Sequence, residues 1–404
     1  MTKKTDKPDK RQRAEELKNG KLQGGSMGAL EGLKILDFTT LLPGPYATLV
    51  LADLGAEVLR ITNPNGYDLV TNWGEKIPGT EITGAAAWLG RNKKTMYLDL
   101  KHQDSIEIVK KLVLEYDIVI EQFRPGVMDR LGLGYQYLNE INERLIYCSV
   151  TGYGQTGCMK DKAGHDINYL ARSGILSAAG RKKSGPSLYN FQIADVAAGS
   201  NNAVIGILAA VYHRQMTGEG QYIDISMSDG VVPFNSMDGV DYLAGGEAPE
   251  RENGLLNGGG IYDFYETSDG GYMSVGSLEP KFFSALCDAV GLLEWKDGAV
   301  LKDNSDKVKG KLKDIFLTKT KQEWEEIFSD TDACVESVLS LEEAVADKHL
   351  NERGMWPEVE LPDTDARKIK QPGCPIKLSK TPVEYKYAGY PEGYHTQEII
   401  KRIS

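Results

Sequence analysis

The sequence predicts an α/β protein, with a large domain on a doubly wound, mostly parallel sheet and a smaller α+β domain after it. Three observations predict this. Between Leu33 and Ser226, short β-branched runs alternate with segments of helical apolar spacing, the pattern of strands joined by crossover helices. Ala194 to Gln215 reads as one long, mostly buried helix, ended by Thr217-Gly218-Glu219-Gly220. After about Asp229 the composition changes: glycines cluster at Gly245-Gly246 and Gly258-Gly259-Gly260, and the strand-like runs shorten.

The elements follow in order. Leu33 to Phe38 is a buried strand, and Pro43-Gly44-Pro45 opens a helix over Tyr46 to Leu54, because proline's fixed φ suits a first helical turn. Gly55 closes it, and Glu57 to Ile61 is the second strand. Asp104 to Leu114 is a helix, Ile118 to Ile120 a strand, and Asn139 to Arg144 leads into a strand over Leu145 to Val150. Gln221 to Ser226 returns as a strand after the long helix. In the smaller domain, Ile261 to Thr267 and Gly271 to Gly276 are β-like runs around a hairpin-like Ser268-Asp269-Gly270-Gly271. Helices are expected at Lys281 to Val290 and Thr320 to Phe328. The expected division is a disordered charged tail over 1–26, a large domain over 27–228, a small domain with linkers over 229–338, and a proline-rich return segment over 339–404 that packs on the large domain.

Bulk chemistry narrows the function. With 47 basic against 58 acidic residues, net −11, the chain is a poor candidate for nucleic acid or a membrane surface. No apolar run reads as long enough to span a membrane, and the N-terminus lacks the apolar core of a signal peptide. The five cysteines (148, 158, 287, 334 and 374) are scattered without a CxxC, which reads as reduced thiols in a cytoplasmic protein.

Gly152-Tyr153-Gly154-Gln155-Thr156-Gly157 matches GxGxxG after a strand. A dinucleotide fingerprint must also open a helix and precede an acid about 20 residues on. Here a polar loop follows and the region around Ser177 has no acid, so these are loop glycines. The five histidines (102, 165, 213, 349 and 395) have no ligand-like spacing, and no metal or redox cofactor is expected.

Side chains must then carry any chemistry, and three stand out. His165 lies in Gly164-His165-Asp166-Ile167-Asn168-Tyr169, Asp195 in Ile193-Ala194-Asp195-Val196-Ala197-Ala198-Gly199-Ser200, and Glu279 ends Val275-Gly276-Ser277-Leu278-Glu279-Pro280. One imidazole and two carboxylates can form two acid–base stations, which moving a proton from one face of a carbon to the other requires. Each also has a plainer reading: His165 as a surface residue, Asp195 as an N-cap and Glu279 as a helix start.

These segments resemble the α-methylacyl-CoA racemase branch of the family III CoA-transferase superfamily. Others resemble the superfamily at large: Leu30 to Leu36, Pro43-Gly44-Pro45-Tyr46-Ala47, Arg91-Asn92-Lys93-Lys94, Phe123-Arg124-Pro125-Gly126-Val127, Arg130-Leu131-Gly132-Leu133-Gly134 and Asp332-Ala333-Cys334-Val335. The resemblance covers Leu30 to about Met355. It implies a Rossmann-like large domain in an interlocked homodimer, with the active site between one subunit's large domain and its partner's small domain. It further implies an acyl-CoA thioester substrate, His165 and Asp195 as the two bases, and Glu279 orienting His165. Arg60 at the end of a strand, Arg91, Lys93 and Lys94 in a loop, and Arg124 and Arg130 are the candidates to hold the CoA phosphates, in the crevice expected at the carboxyl ends of the strands. Amides at the start of the Asp195 helix are candidates to hold an enolate oxygen. The alternatives are a CoA-transferase with Asp195 as nucleophile, which the Gly258-Gly259-Gly260 run favours, and a non-catalytic CoA-binding protein.

Overall fold

The computed structural model describes residues 28–296, 304–362 and 364–403, so the expected tail lies outside the described residues. Six parallel strands make one sheet: β1 (Lys34–Phe38), β2 (Glu57–Thr62), β3 (Lys93–Tyr97), β4 (Ile118–Glu121), β5 (Ile146–Thr151) and β6 (Tyr222–Ser226). Their order is β3-β2-β1-β4-β5-β6. The chain reverses direction across the sheet between β1 and β4, and ligands bind beyond the strand ends at such a reversal.

Side chains alternate across the sheet and fill two layers. Ile35, Val58, Ile120 and Ile146 pack under α1 (Pro43–Asp53) with its Ala47 and Leu51. On the other face Leu36, Leu59, Val119 and Tyr147 pack with Ile106, Val109 and Leu112 of α3 (Gln103–Val113) and Leu138 of α4 (Tyr135–Ile141). The short α2 (Gly84–Leu89) precedes β3.

Strand β3 corrects the expectation that Lys93 and Lys94 lie in a loop. Lys93-Lys94-Thr95 lacks an apolar signature, but backbone pairing with β2 makes it a strand. Its outer edge is covered by the end of the chain: the Thr95 carbonyl accepts from the His395 N–H at 3.0 Å, and the Tyr97 N–H donates to Thr396 Oγ1 at 3.0 Å.

The expected long helix begins as a π-helical turn, Ala194–Ser200, and continues as α6 (Asn201–Thr217), after α5 (Asp166–Arg172). Contrary to the sequence reading, Ala194–Thr217 is long and apolar enough, by length and composition, to cross a membrane. Ala203, Ile207 and Ala210 bury it against the sheet, while Ile205, Tyr212 and Met216 on α6 stay exposed.

Beyond β6, strands β7 (Asp263–Glu266), β8 (Tyr272–Val275) and β9 (Val335–Ser337) form an antiparallel sheet. It packs with α7 (Pro280–Val290), α8 (Ser305–Phe316) and α9 (Lys321–Phe328) around Tyr265, Met273, Phe283, Leu312, Phe316 and Trp324. The sequence reading lacked α8, whose four lysines mask Val308, Leu312 and Phe316 at i, i+4 and i+8. The hairpin of β10 (Glu358–Glu360) and β11 (Lys368–Lys370) then buries Val359 against Ala87 of α2, and α10 (Thr396–Ile403) buries Ile399 in the large domain's core.

Candidate active site

The loop after β5 turns at Gly154 and Gly157, whose φ angles of +78° and +79° suit glycine, and the next helix starts only at Asp166. That agrees with loop glycines rather than a dinucleotide cradle. Tyr169 of α5 fastens this loop. A Cβ on Gly152 or Gly164 would come within 2.5 Å or 2.7 Å of its ring, and its hydroxyl donates to the Gly164 carbonyl at 2.5 Å. Tyr153 meets the same ring edge-on at 5.1 Å. His165 is thereby held at the entrance of α5, its side chain exposed and its N–H donating to Asn168 Oδ1 at 3.0 Å.

Asp195 is the second residue of the π turn, so it does not cap that helix, and no hydrogen bond reaches its carboxylate from the described residues. Such turns recur at functional sites. Burial, and then the negative charge of Asp166, push its carboxyl up to about 7. Its own N–H donates to Asp166 Oδ1 at 3.0 Å, and the Ala194 N–H bonds to the same carboxylate. This corrects one expectation: those amides are already satisfied by Asp166 and are not open to an enolate oxygen.

His165 and Asp195 thus sit on neighbouring elements joined through Asp166. Glu279 does not join them. It is exposed before α7 in the smaller domain, where its charge is felt by Cys334, and no hydrogen bond or ion pair among the described residues links it to His165 or Asp195. Among the described residues no three His, Cys, Asp or Glu side chains gather as a metal site.

The six basic candidates separate. Arg91 is 1% exposed and clamps Asp53 through two hydrogen bonds of 3.0 and 2.6 Å. Lys93 is 2% exposed, donates to the Pro45 carbonyl at 2.8 Å and Thr48 Oγ1 at 2.7 Å, and lies 3.6 Å from Asp37. Both side chains are committed to buried partners and hold β3 to α1, a correction to the sequence reading of them as phosphate ligands. Lys94 pairs with Glu398 at 2.8 Å. Arg60 is nearly buried, 2.9 Å from Asp68, with its Nε unpartnered. It lines a cavity of about 290 Å3 with Phe38, Tyr67, Lys101, Phe123 and Leu131. That cavity lies at the ends of β1 and β4, where the strand order reverses. Arg124 lines an adjacent hollow with Tyr135 and Tyr222, and Arg130 is exposed beside Gly126. Lys101 was not singled out from the sequence; its place just past β3 would have revealed it had β3 been recognised.

Residues 30–396 match the model of CoA-transferase family III. The chain is 37% identical to human alpha-methylacyl-CoA racemase, covering 93% of each. It is 31% identical to human succinyl-CoA:glutarate CoA-transferase, over 93% of this chain and 86% of that one. Its fold matches a CAIB/BAIF family protein from Brucella suis with a TM-score of 0.79 and 26% identity, over 94% of this chain and all of the other. With a family model that spans most of the chain, relatives matched over nearly their whole length and a shared fold, the chain belongs to the family III CoA-transferases.

Proposed function

We propose that this protein is a racemase of 2-methylacyl-CoA thioesters, working by 1,1-proton transfer between two side-chain bases. The observation that carries this reading is Asp195, poised at about 7 beside the histidine-bearing helix. Such a carboxyl is present as acid and as base in comparable amounts at neutral pH, which a group that both takes and returns a proton needs. In one direction the Asp195 carboxylate takes the α-proton, the electron pair moves into the thioester as an enolate, and protonated His165 delivers a proton to the opposite face. In the other direction the roles exchange. Glu279 orients the imidazole, and Arg60, Lys101, Arg124 and Arg130 gather around the CoA phosphates near the strand reversal.

Glu279 reaches His165 in this reading because two chains share each site, one supplying His165 and Asp195 and its partner supplying Glu279. Exposed apolar side chains support a second copy, among them Leu188 at 81%, Leu243 at 82% and Met216 at 71% exposure. Mixing a Glu279→Gln chain with a His165→Ala chain should restore activity in a verified heterodimer. Activity there no higher than in either parent would count against the shared site.

The second reading is CoA transfer, in which the Asp195 carboxylate attacks the acyl-CoA and forms an anhydride and then an enzyme thioester. The name of the family and those of several relatives support it. The glycine run that suggested it is anchored, however: Lys309 Nζ donates to the Gly258 carbonyl at 2.5 Å and the Gly259 N–H to Gly254 at 3.1 Å. Incubation in deuterated water with one enantiomer of a 2-methylacyl-CoA and no acceptor acid separates the readings. Racemisation should place deuterium at the α-carbon as the configuration scrambles. An untouched α-carbon, with CoA moving to an added acid and hydroxylamine trapping at Asp195, would replace the proposal with its rival.

A further inference from the structure

Asp166 has no part in the proton transfers above, yet it bridges the two elements that perform them. It is the first residue of α5, directly after His165, and half-buried. One carboxylate oxygen accepts the Asp195 N–H at 3.0 Å, and the Ala194 N–H donates to the same group. The first amides of a helix have no partner within it, so a side chain from another element has closed this end. Only one peptide link separates that side chain's residue from the histidine. The separation of the two proton carriers is thereby set by a covalent step and a hydrogen bond.

We infer that Asp166 is a positioning residue, tying the Asp195 backbone to the histidine-bearing helix and facing the Asp195 carboxyl with a like charge. The inference rests on the reading of Asp195 as a proton carrier. Two bases that serve opposite faces of one carbon must keep a fixed separation, and loss of such placement is costly in rate. The charge has a second effect, since a neighbouring carboxylate disfavours ionisation of Asp195. Other ionisable side chains on the elements packed against this turn include Tyr169 of α5, Tyr46 and Asp53 of α1, His213 of α6 and Asp229 of the short helix Met227–Val231. Asp53 is committed to Arg91, and Asp229 accepts from the Ser228 hydroxyl at 3.2 Å. The Tyr169 phenol is held neutral by burial and then by the charge of Asp195.

Two variants test both halves. Asp166→Asn keeps an oxygen able to accept the Asp195 N–H and removes the charge. In pH profiles of kcat/KM measured in both directions, the limbs belonging to Asp195 should move to lower pH by about one unit. Asp166→Ala removes charge and tie together, and kcat should fall on the order of a hundredfold while KM for the acyl-CoA changes little. Profiles of Asp166→Asn that superimpose on those of the unaltered protein would overturn the charge effect. An unchanged kcat in Asp166→Ala would overturn the positioning. If Asp166→Ala does not fold, Asp166→Asn decides through its profile. Should no deuterium reach the α-carbon, the racemase reading falls on its own, and the limb is read on CoA transfer instead, because an attacking carboxylate must also be ionised. A limb that moves there sustains the role of Asp166, and one that stays put ends it.

Discussion

Asp195→Asn is expected to abolish racemisation, with kcat lower by on the order of 10²–10⁴-fold or more, because one face of the α-carbon loses its proton carrier. The substitution is close in size and leaves the Asp195 N–H bond to Asp166 in place, so the fold should survive. His165→Ala should be as damaging, since the opposite face then lacks its carrier. The two variants differ in a way that a merely structural role would not produce. Each should still exchange the α-proton of the enantiomer that faces its surviving base, without converting it into the other enantiomer. Deuterium uptake followed by mass spectrometry, with chiral analysis of the recovered acid, reads both events at once. Full racemisation by either variant would remove that residue from the mechanism.

The expected sheet follows from local sequence because its central strands are buried on both faces and read as apolar runs. β1 is Lys34-Ile35-Leu36-Asp37-Phe38 and β4 is Ile118-Val119-Ile120-Glu121, and each stands out without knowledge of its neighbours. β3 does not, because its strand character comes from partners distant in the chain: β2 on one side and the segment around His395 and Thr396 on the other. The site divides in the same way. His165 and Asp195 are visible from their local wrappers, but nothing in the wrapper of His165 marks Asp166 as the carboxylate that joins them. Its partner is 29 residues away, and no local pattern reports that distance.

The basic residues carry the clearest lesson about what charge in a sequence means. Arg91-Asn92-Lys93-Lys94 reads as a phosphate-binding cluster because a charge is ordinarily a surface feature. Only the fold reveals that Asp53, 38 residues earlier, meets Arg91 in the interior. Asp37, likewise out of reach of local pattern, lies beside Lys93, whose burial lowers its amine to about 8. What remained visible from position alone was the crevice at the reversal of the strand order, where Arg60 and Lys101 share a cavity.

Arg91→Met should therefore act on stability rather than on CoA affinity. The guanidinium gives two hydrogen bonds to Asp53, further ones to Gln371 Oε1 and the Pro372 carbonyl at 3.0 Å each, and lies 4.6 Å from the centre of the Tyr385 ring. It joins α1, the approach to β3 and the return segment. Removing it leaves the Asp53 carboxylate buried with, among the described residues, only Asn92 bonded to it, at 3.0 Å, and breaking such a pair costs about 3–5 kcal/mol. The paired variant Arg91→Met/Asp53→Leu should recover much of the loss, since no charge is then stranded. A dependence on pH distinguishes this cause from lost packing. Burial already raises the Asp53 carboxyl above its ordinary value while Arg91 opposes that rise, so the single variant must raise it further. The variant's folded form then holds a proton more tightly than its unfolded chain does. Its deficit should be largest at neutral and alkaline pH and shrink as pH falls through the raised value and Asp53 becomes neutral. Thermal midpoints of the parent, single and paired proteins at two pH values supply the measurement. A deficit unchanged with pH and undiminished in the paired variant would mean that the methylenes of Arg91, and not its charge, hold α1 to the return segment.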